Sequence, residues 1–404
     1  MEDRQAERGQ RVTPLELFFD LVVVFAITQV TSFLARNPTW GGLLRGLLLL
    51  GTLWWAWSAY AWLTNLLDPE EGVVRILVFA ATGAMLIVSL AVPGAFGADA
   101  VTFAVAYLIV QLLNLVLFVI ASRGDHDLFQ AVLKTLPALL LAPILLLVAG
   151  LLEGSGQLAL WGAAVVILNV IPLIGIRSFR VSPEHFVERY GLIIIIALGE
   201  SIVALGVGAA GAPFDAGVIT AALLGLTVSA CVWWSYFDWL VIVGHATLLE
   251  ATGVERAMLA RDAYAYLHMP MLGGIVLFAF GLRTTVADVG NPLASVPAVG
   301  LCGGIALYFA AHVVLRLRVH GGWGRGRPIA TVVLLALIVL ATHVPALVGL
   351  ALVAAVCVAL IAYEALWHRE SRAWIRTHRD GFTLDEARAA TTQDRGARRR
   401  RERS

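Results

Sequence analysis

Glu200 stands inside the apolar run Leu192 to Val207, in Gly199-Glu200-Ser201, a place where an ionisable side chain has to be explained. A charged group near the middle of a membrane helix costs on the order of 3 kcal/mol on insertion scales, so it is normally protonated, paired or turned to a water-filled interior. Two readings are open: a proton, cation or substrate site, or a protonated structural carboxyl. Gly199 and Ser201 would let another helix approach closely. A second acidic group opens the first apolar run, Pro14-Leu15-Glu16-Leu17-Phe18-Phe19-Asp20. At 100° per residue, Glu16, Asp20 and Thr31 fall within about 60° of one another, with Thr28 at the edge of that arc, so they form a polar stripe. The plainer account is that Glu16 and Asp20 favour the positive end of a helix that Pro14 begins. Arg261-Asp262 and His268 precede Pro270, which frees a carbonyl one turn earlier. His268 either satisfies such a carbonyl or couples protons to movement. Arg261 and Asp262 form a rim pair or counter the charges of Asp20 or Glu188.

The surroundings of these residues are those of a bilayer. Of 404 residues, 59% are hydrophobic and 14% charged, and the mean hydropathy is +0.84. That is well below the roughly 25% charge of a soluble domain. Twelve runs are long enough, or nearly so, to cross about 30 Å of hydrocarbon as helices. They lie near 15–34, 43–63, 73–92, 101–121, 134–152, 158–176, 190–210, 216–238, 266–286, 296–316, 328–344 and 346–366. Ala341 to Pro345 leaves almost no turn after the eleventh, so a re-entrant hairpin is the other reading there. With both termini cytoplasmic, 26 of the 29 Lys and Arg residues fall on the cytoplasmic side, leaving Arg36, Arg45 and Arg283 outside. The positive-inside rule therefore favours an even number of spans.

The expected organisation is all-α, with two parallel six-helix repeats. Trp57-Ser58 to Leu63 returns as Trp234-Ser235 to Leu240. Glu16 aligns with Glu188, and Arg75 with Met85 aligns with Arg261 with Met271. An offset of six spans brings both halves into the membrane in the same sense, about an axis along its normal. The segments are 1–14, cytoplasmic; 15–176, the first repeat; 177–366, the second; and 367–404, a basic and disordered cytoplasmic tail. That tail reads as attraction to anionic lipid rather than nucleic acid. The segment 247–264 is expected to lie on the membrane as a helix or to extend the ninth span. No cleavable signal peptide is read at the start.

Soluble-enzyme motifs are missing: no His-Glu-x-x-His, P-loop or Gly-x-Ser-x-Gly elbow occurs. Cys231, Cys302 and Cys357 lie in spans and suggest neither disulfides nor a thiolate metal site. His268, His312 and His343 have no metal-ligand spacing, and neither metal nor cofactor is implied.

Thr13 to Leu21 with Val24-Phe25-Ala26-Ile27-Thr28-Gln29, His185 to Gly191 with Gly199-Glu200-Ser201, and Tyr266-Leu267-His268-Met269-Pro270 resemble the bacterial low temperature requirement protein A family, from about residue 11 to 367. The resemblance implies a multi-pass bacterial cell-membrane protein linked to growth in the cold, and names no reaction. The stretch Glu16 to Thr28 is also similar to the first helix of two-repeat endolysosomal potassium channels. However, Phe19 stands where that family has serine, and Tyr190-Gly191-Leu192 where its second repeat has Phe-Ser-Asp. A shared six-helix architecture follows from this likeness; potassium selectivity does not.

The expectation is a non-enzymatic, proton-coupled transporter acting on an unknown small molecule or ion. Its polar pathway uses Glu16, Asp20, Thr28, Glu188, Glu200 and Ser201, and Arg261, Asp262 and His268 serve coupling or gating. A channel, or a membrane enzyme or lipid-associated accessory protein, is the alternative.

Overall fold

In lipid every backbone polar group needs a partner within the chain, which leaves helices as the economical solution for a sequence of this hydropathy. The computed structural model describes residues 12–175, 179–210, 213–320 and 322–367. It contains helices and no β-strand among them. The tail 368–404, most of the segment 1–14 and the junction at 176–178 lie outside the described residues.

Helices stand at all twelve expected places. They are α1 (Pro14–Arg36), α2 (Trp40–Thr64), α3 (Gly72–Ala91), α4 (Ala100–Ala121), α5 (His126–Ala149), α6 (Ser155–Gly175) and α7 (Pro183–Ala209). They continue as α8 (Ala216–Glu250), α9 (Gly253–Ala287), α10 (Ser295–Val319), α11 (Gly326–Ala341) and α12 (Ala346–Trp367). Nine of these are long and apolar enough to cross a membrane among the described residues. The exceptions have visible causes: α2 is loaded with Trp54, Trp55, Trp57 and Trp62, the apolar stretch of α6 is short, and α11 has 16 residues. Even so, α11 is one continuous helix that runs back along α10. It starts beside the end of α10, and its far end meets the α9–α10 loop through Leu293 N–H to Ala341 C=O and Ala346 N–H to Asn291 C=O.

Local signals set the helix starts. Thr13 caps α1 in a capping box with Glu16, and Pro14 occupies the first turn. The segment expected as a surface helix or an extension is the extension: Gly253–Ala260 runs through a π-turn at Arg261–Tyr266 into α9. Further π-turns interrupt α8 at Tyr236–Leu240 and α10 at Val299–Gly303. Such turns widen a helix by one residue and frequently mark functional sites.

Helix α9 is the hub, packing on α7, α10, α1 and α2. Its approach to α10 is set by glycine. A Cβ on Gly281 would lie 2.2 Å from Leu301 N, and one on Gly304 2.6 Å from Gly274 O. Helices α1 and α7 run parallel, since Glu16 meets Arg189 near the start of each and Thr28 meets Glu200 about a dozen residues later. The outer face is apolar, as along Ile329, Val332, Leu335 and Val339 of α11.

Gly281→Val should force α9 and α10 apart and lower the thermal unfolding midpoint in detergent by many degrees. Gly83→Ala, where nothing lies within 4 Å, should leave the midpoint near that of the native chain.

Candidate functional site

Two carboxylates and one guanidinium meet where α1 and α7 begin. Glu16 and Asp20 are one turn apart on α1, and Arg189, six residues into α7, reaches both. Its Nη1 donates to Glu16 Oε1, and its Nη2 donates to Asp20 Oδ1 at 3.0 Å. Arg189 Nη1 also lies 3.1 Å from Thr64 Oγ1 of α2. His185, one turn before Arg189, places Nε2 3.0 and 3.2 Å from the two Glu16 oxygens. Trp57 of α2 donates Nε1–H to Asp20 Oδ1 at 2.8 Å. Glu16, Asp20, His185 and Arg189 are each at most 2% exposed. Glu16 also accepts from the Thr13 backbone N–H at 2.8 Å, so it caps the helix and binds the guanidinium at once.

The accounting of charge and of hydrogen bonds is uneven. Two carboxylates, Glu16 and Asp20, face one guanidinium, with the imidazole of His185 beside them. Glu16 is saturated, whereas Asp20 Oδ2, His185 Nδ1 and Arg189 Nε are buried without a hydrogen-bond partner. Buried polar atoms are rarely left so.

Glu200 lies elsewhere. About 16 Å further along α7, it is 3% exposed and accepts from Thr28 Oγ1 at 2.5 Å. Arg283 of α9 is its nearby cation and donates to Ser32 at 3.3 Å. Ser201 is buried here with an unpaired hydroxyl. Between the two centres, Val23, Ile27, Leu50, Trp54, Ile193 and Leu272 help line an apolar void of about 10 Å³. So small a space with no polar lining holds no stable water. The expected stripe is thus two polar centres with apolar side chains between them. Glu188 belongs to neither: it is exposed and accepts from the Val12 backbone N–H at 3.2 Å.

Arg261 and Asp262 form a rim pair at 2.7 Å, joined by Arg318 at 3.0 Å, and do not pair with Asp20 or Glu188. His268 is buried. Its Nδ1–H donates to the Ala263 carbonyl, one of those displaced by the π-turn, at 2.9 Å, while Tyr236 O–H donates to Nε2 at 2.7 Å. The carbonyl, which can only accept, assigns that tautomer. Tyr190, next to Arg189, connects the ion cluster to this group. Its ring lies 4.9 Å from that of Trp57 and 5.3 Å from that of His268, and its hydroxyl is 3.1 Å from Ser58 Oγ.

Sequence reasoning missed four buried partners. Arg189 and His185 lie in a quoted motif, but only the helical phase of α7 against α1 brings them inside. Arg327 and Glu364 form a buried bidentate pair at 2.8 and 3.3 Å, with Arg327 Nη1 also 2.5 Å from His312 Nδ1. Glu364 in the last apolar run carries the same signal as Glu200. Among the described residues no group of three His, Cys, Asp or Glu could hold a metal ion.

Apolar helices of this number and length, with buried ion pairs sequestered between them, define a polytopic helical membrane protein. The chain belongs to the bacterial low temperature requirement A protein (LtrA) family, whose model matches residues 11–362. It is also 30% identical over 280 residues to the uncharacterized protein RA0937 of Rhizobium meliloti (strain 1021), covering 66% of this chain and 67% of that one. No solved structure matches it.

Arg189→Met should strand the Glu16 and Asp20 carboxylates and cost roughly 3–5 kcal/mol of stability. Adding Glu16→Gln and Asp20→Asn to Arg189→Met should restore most of it. Tryptophan-monitored thermal unfolding reads the difference, and equal losses in the single and triple variants would contradict a charge-balanced cluster.

Proposed function

We propose that this chain is a proton-coupled transporter of the bacterial cell membrane, with both termini cytoplasmic and two parallel six-helix bundles meeting at α1 and α7. The observation that carries this reading is that two buried carboxylates, Glu16 and Asp20, share the one guanidinium of Arg189, with Oδ2 of Asp20 unpaired. Asp20 Oδ2 is the atom on which a proton settles. Both oxygens of Glu16 are already taken by Arg189, His185 and the Thr13 backbone N–H, which leaves Asp20 Oδ2 as the open site.

Protonation has a mechanical consequence. A neutral Asp20 holds Nη2 of Arg189 less tightly, which loosens α1 from α7 where they are pinned. Glu200 with Thr28 and Ser201 is the second carboxyl centre, at the far side of the apolar layer. An apolar layer lets a proton cross only as the helices move, which favours alternating access over the continuous wet pore of a channel. Arg261, Asp262 and His268 act as rim and hinge groups, and no residue is assigned a catalytic role.

Solid-supported-membrane recordings after a pH jump measure charge displacement with no substrate added. The native chain should give a pH-dependent displacement, Asp20→Asn and Glu200→Gln should each lose most of it while folding, and Glu188→Gln should keep it. Full displacement in Asp20→Asn and Glu200→Gln would refute the proposal.

A further inference from the structure

Two indoles on α2 hold groups that belong to different helices. Trp57 donates Nε1–H to Asp20 Oδ1 at 2.8 Å, and Trp54, one turn earlier, donates Nε1–H to the Ala265 carbonyl of the α9 π-turn, also at 2.8 Å. Both are at most 2% exposed, and their rings lie 5.0 Å apart. One stretch of helix therefore grips the ion cluster with one side chain and the broken helix with another. The aligned stretch of α8 has no such pair: Cys231 stands where Trp54 does, and Trp234, aligned with Trp57, is 41% exposed.

The π-turn is an element with a second arrangement within reach. Leu267 N–H runs back to the Asp262 carbonyl at 3.2 Å. In a regular α-helix it would take the Ala263 carbonyl instead, which His268 Nδ1–H occupies at 2.9 Å. His268 thus holds the turn in its widened form, and Trp54 fixes a carbonyl two residues on. Tyr266 closes the far side, with its ring 5.4 Å from that of Trp55 and its hydroxyl donating to the Asn169 carbonyl of α6.

We infer that α2 carries the charge state of Asp20 to the π-turn of α9, with Trp54 as the positioning residue. An ionised acceptor holds a donor about twice as strongly as a neutral one. Neutralising Asp20 weakens the hold of Trp57 on α1, so α2 shifts, and Trp54 shifts the Ala265 carbonyl with it. The charged and titratable groups around Asp20 are Glu16 on its own helix and Arg189 on α7, with His185 beside Glu16. On the other helices packed against α1, Arg45 of α2 lies over the Phe96 ring, Arg75 of α3 is exposed, and Arg283 of α9 reaches Ser32 at the opposite end. The inference deepens the transporter reading and rests on it only for its purpose: a proton at Asp20 reshapes α9.

Nitrogen-15 NMR of the histidines of the full chain in detergent reads the turn through His268 Nδ1, assigned with His268→Gln. At neutral pH, Asp20→Asn should move that resonance, and the exposed Glu188→Gln should not. Trp54→Phe keeps an aromatic ring and removes the N–H, so in its background the shift caused by Asp20→Asn should be lost. Trp57→Phe cuts the same link at its other end and should abolish the shift as well. A shift of full size in both backgrounds would put the coupling in the ring contacts of Tyr190, and no shift on Asp20→Asn would remove the coupling altogether; either result overturns the inference. Because asparagine replaces the proton here, these outcomes are separate from whether the native chain displaces charge when the pH changes.

Discussion

The contact of Arg189 with Glu16 and Asp20 is the constraint on which the rest of the structure turns. An ion cluster at most 2% exposed is expensive to assemble in an apolar interior, and removing one partner leaves an unpaired charge. The neighbouring elements serve to shield and orient it. The start of α1 supplies the Thr13 backbone N–H, α2 supplies Trp57 and Thr64, and α7 supplies both His185 and Arg189. Because three helices converge on one set of charges, a single proton there is felt by all of them.

The aromatic layer gives that proton a way to be felt elsewhere. Tyr190 follows Arg189 directly and packs against Trp57, Tyr264 and His268, which lie on α2 and α9. Those last two residues stand in or beside the π-turn that breaks α9, and Tyr236, hydrogen-bonded to His268, opens the π-turn of α8. Such turns can gain or lose their extra residue without unwinding the helix, so they are natural places for a packed bundle to change shape.

Much of this was legible in the chain itself. Hydropathy located all twelve helices, and a charge in an apolar run marked Glu200, Asp20 and Glu16 as interior groups. What was not legible has a geometric cause. Glu188 was expected inside because it aligns with Glu16, but one residue on a helix turns the side chain by about 100°, and it is Arg189 that faces inward. A helical wheel shows that a stripe exists and not which helix covers it, so partners about 170 residues apart stayed hidden. Thr28 and Glu200 are aligned positions of the two expected repeats, and they meet directly. The single polar pathway instead divides in two because Ile27, Leu50 and Ile193 intervene from three separate helices.

The claim that a proton settles on Asp20 while Glu16 stays charged is open to direct measurement by pH-difference infrared spectroscopy of the membrane-embedded chain. Acidification should raise the carbonyl stretch of a buried carboxylic acid, a band present in Glu188→Gln and missing from Asp20→Asn. A band that persists undiminished in Asp20→Asn but vanishes in Glu200→Gln alone would place the proton elsewhere and contradict the account.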